Sequence, residues 1–200
     1  MNKRFKSIKE ELNKEENQQI ETDNEKKQHA SLKRNQDKKQ FEFKEVGVIH
    51  TPYQDDAPYQ PIEDDEGDFQ ITLYPKYTKG LNQLEKFKYI IVIYYIHKLS
   101  REKENIISPP WTGGYEVGIF ASRSPIRPNP IGMSIVKIYK IEKNKIFTSG
   151  LDVFDGTPLL DIKPYIKDLD SKDDANYGWI KDLDSYEHLL LHIKGIPHDY

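Results

Sequence analysis

The chain has 200 residues, of which 32% are charged, with a formal net charge of −3 and no cysteine. The lack of thiols excludes disulfides, thiolate nucleophiles and Cys-ligated zinc. No apolar run is long enough to span a bilayer, and the basic N-terminus lacks the apolar stretch of a secretory signal, so the sequence reads as soluble and cytoplasmic with no membrane partner.

Residues 1–40 hold 11 Lys/Arg and 8 Asp/Glu but no Gly, Pro, Tyr, Trp or Val, and only seven hydrophobic residues. Too little apolar surface is present there to offset the entropy of ordering. Phe5, Ile8 and Leu12 fall at helical spacing, so 1–40 is expected to be a charged extension, disordered or a solitary helix. All 12 prolines and all 11 glycines follow, and 41–200 is expected to be one domain with its own core. The extension carries +3 and the remainder −6. A body that acidic cannot grip nucleic acid by bulk charge and would need a local basic site.

In chain order, "FKEVGVIHTPY" (43–53) predicts a strand running into a Thr-Pro turn, and the Pro- and acid-rich 54–68 predicts a loop. "FQITLYP" (69–75) predicts a second strand. "TKGLNQLEKF" (78–87), with Thr78 as N-cap, predicts a short helix. "YIIVIYYI" (89–96) predicts a strand buried on both faces. "GYEVGIFAS" (114–122) and "GMSIVKIYKIEKNKIFTSGLDV" (132–153) predict further strands, the latter turning at 142–145. "SYEHLLLHIKGIP" (185–197) has a Ser cap and a Gly stop and predicts a last helix. Strands outnumber helices without a βαβ rhythm. The expected fold is mainly β with short helices, an antiparallel sheet strongly curved or closed into a small barrel.

"YIKDLDS" (165–171) is echoed by "WIKDLDS" (179–185), too short a repeat for a solenoid. The Asp-rich 168–174 lacks the turn Gly and closing Glu of a calcium loop, and Lys172 sits where a ligand should, so it reads as a solvated acidic loop with no metal.

Two stretches can carry chemistry. "FASRSPIRPNPIGMS" (120–134) has three prolines within six residues, each fixing its own φ and pushing Ser124, Arg127 and Asn129 towards extended geometry. Arg123 and Arg127 on so stiff a loop suit a carboxylate, a phosphate or a stacked base, or they pair with the chain's own carboxylates. In "SGLDVFDGTPLLDIKPY" (149–165), Asp155-Gly156-Thr157-Pro158 is a turn signature. Asp152, Asp155 and Asp161 near Lys163 could equally set a base against a cation. His97 ends the apolar strand, where a structural role is the commoner one. No Gly-rich nucleotide fingerprint, P-loop, zinc-protease or hydrolase-elbow motif occurs.

"VGVIHTPY", "EVGIFASRSPIRPNPIGMS" and "GLDVFDGTPLLDIKPY", in that order over roughly 43–165, resemble the TrmO/YaeB-type tRNA methyltransferases. The resemblance implies a small non-Rossmann β-barrel acting as a homodimer. It implies S-adenosylmethionine as cofactor, near the subunit interface, and methyl transfer to N6 of threonylcarbamoyl-adenosine beside the tRNA anticodon. The family's cofactor contacts fall on Thr51, Pro52, Tyr53, His97, Lys98, Arg123, Met133, Ser149, Gly150, Leu151 and Asp152. Arg127, Asn129, Asp155 and Lys163 lie in the same motifs and are assigned to the substrate and the reaction. Asp155 is the candidate acceptor of the N6 proton, and Arg127 the candidate partner of the threonyl carboxylate.

Many bacterial members continue into a further domain after the "DIKPY" motif, whereas this chain has 35 residues more and carries the N-terminal extension instead. Both differences bear on how tRNA is held. Two other functions fit the same residues. One is an RNA-binding module without catalysis; the other is an S-adenosylmethionine-dependent methyltransferase of a small molecule.

Overall fold

The computed structural model describes residues 41–58, 61–99, 105–184, 186–193 and 196; the expected 1–40 extension lies outside the described residues. Six strands close into an antiparallel barrel in the order β1-β2-β7-β6-β3-β8. They are β1 (Gly47–His50), β2 (Gln70–Leu73), β3 (Tyr89–Tyr95), β6 (Ile131–Glu142), β7 (Lys145–Thr148) and β8 (Thr157–Pro164). A two-stranded ribbon, β4 (Ile106–Ile107) with β5 (Val117–Gly118), lies within the long β3–β6 connection.

Alternation builds the core. Ile49, Ile71, Ile90, Val92, Val136, Ile146 and Leu159 point inward and are essentially solvent-free. Each such side chain contributes about 1.5–3 kcal/mol relative to its exposed state. Gly47 is required where β1 crosses β2, since a Cβ there would stand 2.3 Å from the Thr72 carbonyl oxygen.

Four expectations are corrected. The helix expected over 78–87 is instead two 3₁₀ segments, Pro75–Leu81 and Leu84–Lys86. Pro75 takes the first helical position, and Gln83, at φ 73°, interrupts the run. β3 is buried on one face only: Ile90, Val92 and Tyr94 are enclosed while Tyr95 is 44% exposed, because in a closed barrel only the alternate, inward-pointing side chains of a strand enter the core. The strand expected over 114–122 shortens to Val117–Gly118 and turns at once into the 3₁₀ segment Ile119–Ala121. The 149–165 stretch holds more than a turn, for β8 pairs with both β1 and β3 and closes the barrel. Pro158 and Pro164 hide that strand from propensity reasoning.

The β6–β7 turn falls at Lys143–Asn144, within the expected 142–145, with Lys143 at φ 56°. Beyond β8 come helix α1 (Lys167–Asp170), a 3₁₀ segment (Gly178–Asp182) and helix α2 (Tyr186–Ile193). The Ser185 cap, Gly195 stop and Pro197 expected for α2 lie outside the described residues. No helix among the described residues is long and apolar enough to cross a membrane.

Candidate functional site

Antiparallel closure sends the β1–β2, β3–β6 and β7–β8 connections to one end of the barrel. Most of the chemically suggestive residues collect there. The β1–β2 and β7–β8 loops are stitched together. The Thr51 hydroxyl donates to the Val153 carbonyl (2.7 Å), and the Asp155 N–H donates to the Tyr53 carbonyl (2.7 Å). The Gly156 N–H donates to the Ile49 carbonyl (3.0 Å), and Gly156 sits at φ 78°, where a side chain would be strained.

Asp155 accepts from the Thr51 N–H and lies 3.3 Å from Nδ1 of His50, with Nε2 of Gln54 at 3.5 Å. Burial pushes its carboxyl up, but the Thr51 N–H, the Gln54 amide and His50 outweigh it and hold the pKa below the ordinary aspartate value. Asp155 is therefore a stable carboxylate, 35% exposed at the mouth.

The β3–β6 connection supplies the third wall. Lys98 donates from Nζ to the Gln54 carbonyl (2.7 Å) and stands 5.1 Å over the Phe154 ring. Nδ1 of His97 is 3.3 Å from Oγ1 of Thr157, whose proton goes to the Phe154 carbonyl (2.7 Å). The Thr157 oxygen must then accept, which places the His97 proton on Nδ1 and leaves Nε2 as an acceptor. Burial, and then the neighbouring Lys98 charge, lower the His97 pKa, so the ring is neutral.

Deeper in the mouth a chain of hydroxyls ends on a carboxylate. Ser134 on β6 donates to Oδ1 of Asp152 (2.8 Å), and the Tyr94 hydroxyl on β3 lies 3.0 Å from Oγ of Ser134. With the serine proton committed to Asp152, Tyr94 donates to Ser134. Burial pushes the Asp152 carboxyl above its usual range; Ser134, the residue's own backbone N–H, Arg123 and Tyr94 oppose the rise without cancelling it. Burial, with the Asp152 charge next, also raises Tyr94. Tyr53 donates its hydroxyl to Asp65, packs on Phe69 with ring centroids 5.8 Å apart, and is raised by burial and by Asp65.

Two glycines make these approaches possible. A Cβ on Gly132 would come within 2.0 Å of the Tyr94 ring, and one on Gly150 within 2.2 Å of the Ile62 carbonyl oxygen.

Arg123 is exposed, and its charge acts on Asp152 and Tyr94 without a direct ion pair among the described residues. Its fork is available to a ligand. Arg127 is turned inward, with Nη2 at 3.4 Å from both the Ile119 and Ser122 carbonyls, and holds its own loop. The loop is further tied by the Arg127 N–H to the Pro125 carbonyl (2.9 Å) and the Ile131 N–H to the Asn129 carbonyl (2.7 Å). Asn129 and Pro52 lie exposed at the rim.

The structure thus brings Thr51, Tyr53, His97, Lys98, Arg123, Gly150, Asp152 and Asp155 to one end. Ser149 and Leu151 serve the scaffold: Oγ of Ser149 accepts the Lys137 N–H (3.0 Å), and Leu151 is buried in the core. Met133 points out from β6 and is 47% exposed. Lys163 is not brought to this end; it lies in the far half of β8, paired with Ile91, with its Nζ on Asp161 at 2.7 Å. Tyr94, Ser134, Asp65 and His50 were missed by sequence reasoning. Only the alternation of β3 and β6 could have placed Tyr94 and Ser134 on the inner face.

The sequence model of the tRNA-methyltransferase O N-terminal domain matches residues 48–171. An S-adenosyl-L-methionine-binding protein of Archaeoglobus fulgidus is 40% identical over 130 residues, covering 64% of this chain and 91% of that one. A tRNA (adenine(37)-N6)-methyltransferase of Escherichia coli is 31% identical over 157 residues, covering 74% of this chain and 67% of that one. The crystal structure of TrmO from Pseudomonas aeruginosa superposes with a TM-score of 0.58 at 28% identity, covering 70% of this chain and 62% of that one. With the family match spanning more than half of its residues, the chain belongs to the tRNA-methyltransferase O N-terminal domain family.

Proposed function

We propose that this protein is an S-adenosylmethionine-dependent tRNA methyltransferase that methylates N6 of the threonylcarbamoyl-adenosine beside the anticodon. The observation that carries the reading is the mouth itself: a half-buried Asp152 carboxylate on the β7–β8 connection, facing a neutral His97 acceptor and an Arg123 fork with no ion pair among the described residues, both on the β3–β6 connection. That donor set fits the cofactor, whose methionine end carries both an ammonium and a carboxylate. Asp152 suits the cationic groups and Arg123 the carboxylate, while Thr51, Tyr53, His97, Lys98 and Gly150 complete the wall. The cofactor supplies an electrophilic methyl group on a positively charged sulfur.

The chain's own residues then have three tasks. The stitched loops hold the mouth rigid, so that positioning supplies much of the rate. Asp155 accepts the N6 proton as the nitrogen–carbon bond forms, and its lowered pKa keeps it ionised for that step. Arg127 is the sequence's candidate partner for the threonyl carboxylate; with Nη2 turned to the Ile119 and Ser122 carbonyls, it serves this reading by keeping the rim loop, with Asn129, in register against the base. A second copy of the chain belongs to this reading. Met133, Ile135 and Tyr95 are 44–47% exposed on the outer wall of β3 and β6, an apolar strip beside the mouth. Met133 would meet a cofactor only across such an interface.

The β1–β2 segment favours a second reading. Residues 46–75 hold seven carboxylates and no Lys or Arg, a surface that suits a small cationic substrate better than RNA. Labelled cofactor decides between the two. Methyl should enter tRNA that carries threonylcarbamoyl-adenosine and not the same transcript without it. Cofactor binding with no transfer to any tRNA would move the function to a small molecule.

A further inference from the structure

Two adjoining connections at the end of the barrel opposite the mouth are basic. At the mouth end, the β1–β2 connection is acidic throughout. At the other end, residues 74–88 join β2 to β3 and hold four lysines against one glutamate, while residues 139–145 form the β6–β7 hairpin and hold three lysines against one glutamate. The two segments meet: Lys79, Leu81 and Asn82 face Ile141 and Lys143 across one open depression. Three of these ammonium groups each lie over an aromatic ring. Lys76 stands 4.8 Å over Tyr77, Lys88 5.7 Å over Tyr89, and Lys140 4.3 Å over Phe147. Tyr139 is 57% exposed; its hydroxyl donates to the Glu63 carbonyl (3.3 Å), and the Tyr89 hydroxyl donates to the Glu63 carboxylate (3.2 Å), so the acidic β1–β2 connection borders this surface.

We infer that this lysine- and aromatic-rich end of the barrel, opposite the mouth, is a second nucleic-acid contact that holds the phosphate backbone of the RNA whose base is presented at the mouth. The inference rests on the tRNA reading above. A body with net charge −6 repels polyanions over much of its surface, so phosphates favour local clusters of cations, and these two segments together hold seven lysines against two glutamates. Ammonium groups alone would serve any polyanion. Rings beside them add stacking surfaces for unpaired bases, which an acidic peptide could not use. β6 runs 12 residues between the two ends, about 40 Å of strand, a distance that an extended RNA can span and a small substrate cannot.

The test uses the full chain and an unmodified tRNA transcript, with affinity followed by fluorescence anisotropy over a range of salt. Lys79→Glu, Lys143→Glu and Lys145→Glu together, all at exposed positions, should flatten the log–log salt dependence by about 2, near 0.7 per lost phosphate contact. Affinity at low salt should fall roughly tenfold or more. The triple Lys→Gln variant should show the same trend to a lesser degree, and both should keep the wild-type thermal shift with S-adenosylmethionine. An unchanged slope and affinity would overturn the inference. So would competition by poly-glutamate as effective as that by RNA of equal charge, because stacking would then contribute nothing. A flattened slope without methyl transfer would retire the proposed activity and leave this surface standing; methyl transfer with an unchanged slope would do the reverse.

Discussion

The Ser134 hydroxyl donates to Oδ1 of Asp152 at 2.8 Å and thereby joins the barrel interior to the mouth. The bond satisfies one oxygen of a carboxylate that burial has made reluctant to ionise. A carboxyl whose folded pKa lies above its unfolded value favours the fold most strongly below the unfolded pKa, and that contribution is lost as pH rises through the folded pKa. Asp152→Asn should therefore raise the melting temperature of the cofactor-free protein near neutrality, with the gain shrinking towards acid. Each 1 kcal/mol recovered corresponds to about 2–4 °C. The same variant should weaken cofactor binding by about tenfold or more, the loss of one charge-assisted contact. Unfolding curves over a pH series check the first half and calorimetry the second.

Asp155 has the opposite electrostatics. Its lowered pKa means that it stays ionised as acid is added, so the acid limb of the methyl-transfer rate should lie below the ordinary carboxylate range. Asp155→Asn should leave the cofactor-induced thermal shift intact and lower kcat by about 10²–10⁴-fold. Equal losses in cofactor affinity and rate would instead mark Asp155 as a binding residue.

Trp179 lies beyond the stretch matched by the family model, yet it donates from its indole nitrogen to the Ala121 carbonyl at 2.8 Å and stacks on Tyr115 with centroids 5.7 Å apart. It also packs against the small cluster of Ile107, Val117 and Ile119, next to the arginine loop. Trp179→Ala should cost about 1–3 kcal/mol, less than a fully buried tryptophan because the ring is only half-covered. Hydrogen exchange should quicken over 105–123 with the six-stranded barrel unaffected.

Gly132→Ala should displace the Tyr94 ring, since the added methyl would stand 2.0 Å from it. Overpacking of this kind costs about 1–3 kcal/mol and should break the Tyr94–Ser134 bond. Adding Tyr94→Leu should restore part of the loss, a non-additivity that a double-mutant cycle in urea would measure.

Local pattern accounts for what could be read without coordinates. The existence of a strand over 89–96, the Lys143–Asn144 turn and the proline-stiffened loop are properties of near neighbours along the chain, and so is the family resemblance carried by 120–134 and 149–165. Closure is not local. β8 earns its place by pairing with β1 and β3, partners that are far away in sequence, and its prolines argue against a strand to any reader of propensity. The same holds at the mouth. Nothing within reach of Asp152 in sequence announces Tyr94 and Ser134, and nothing beside Arg127 shows its guanidinium spent on the carbonyls of Ile119 and Ser122 while Arg123 has no ion pair among the described residues. Desolvation and hydrogen-bond partnership depend on which distant segments share a space. That is why the residue types were legible in the sequence, while which side chains are spent on hydrogen bonds within the fold and which stay exposed at the mouth was decided only when the barrel closed.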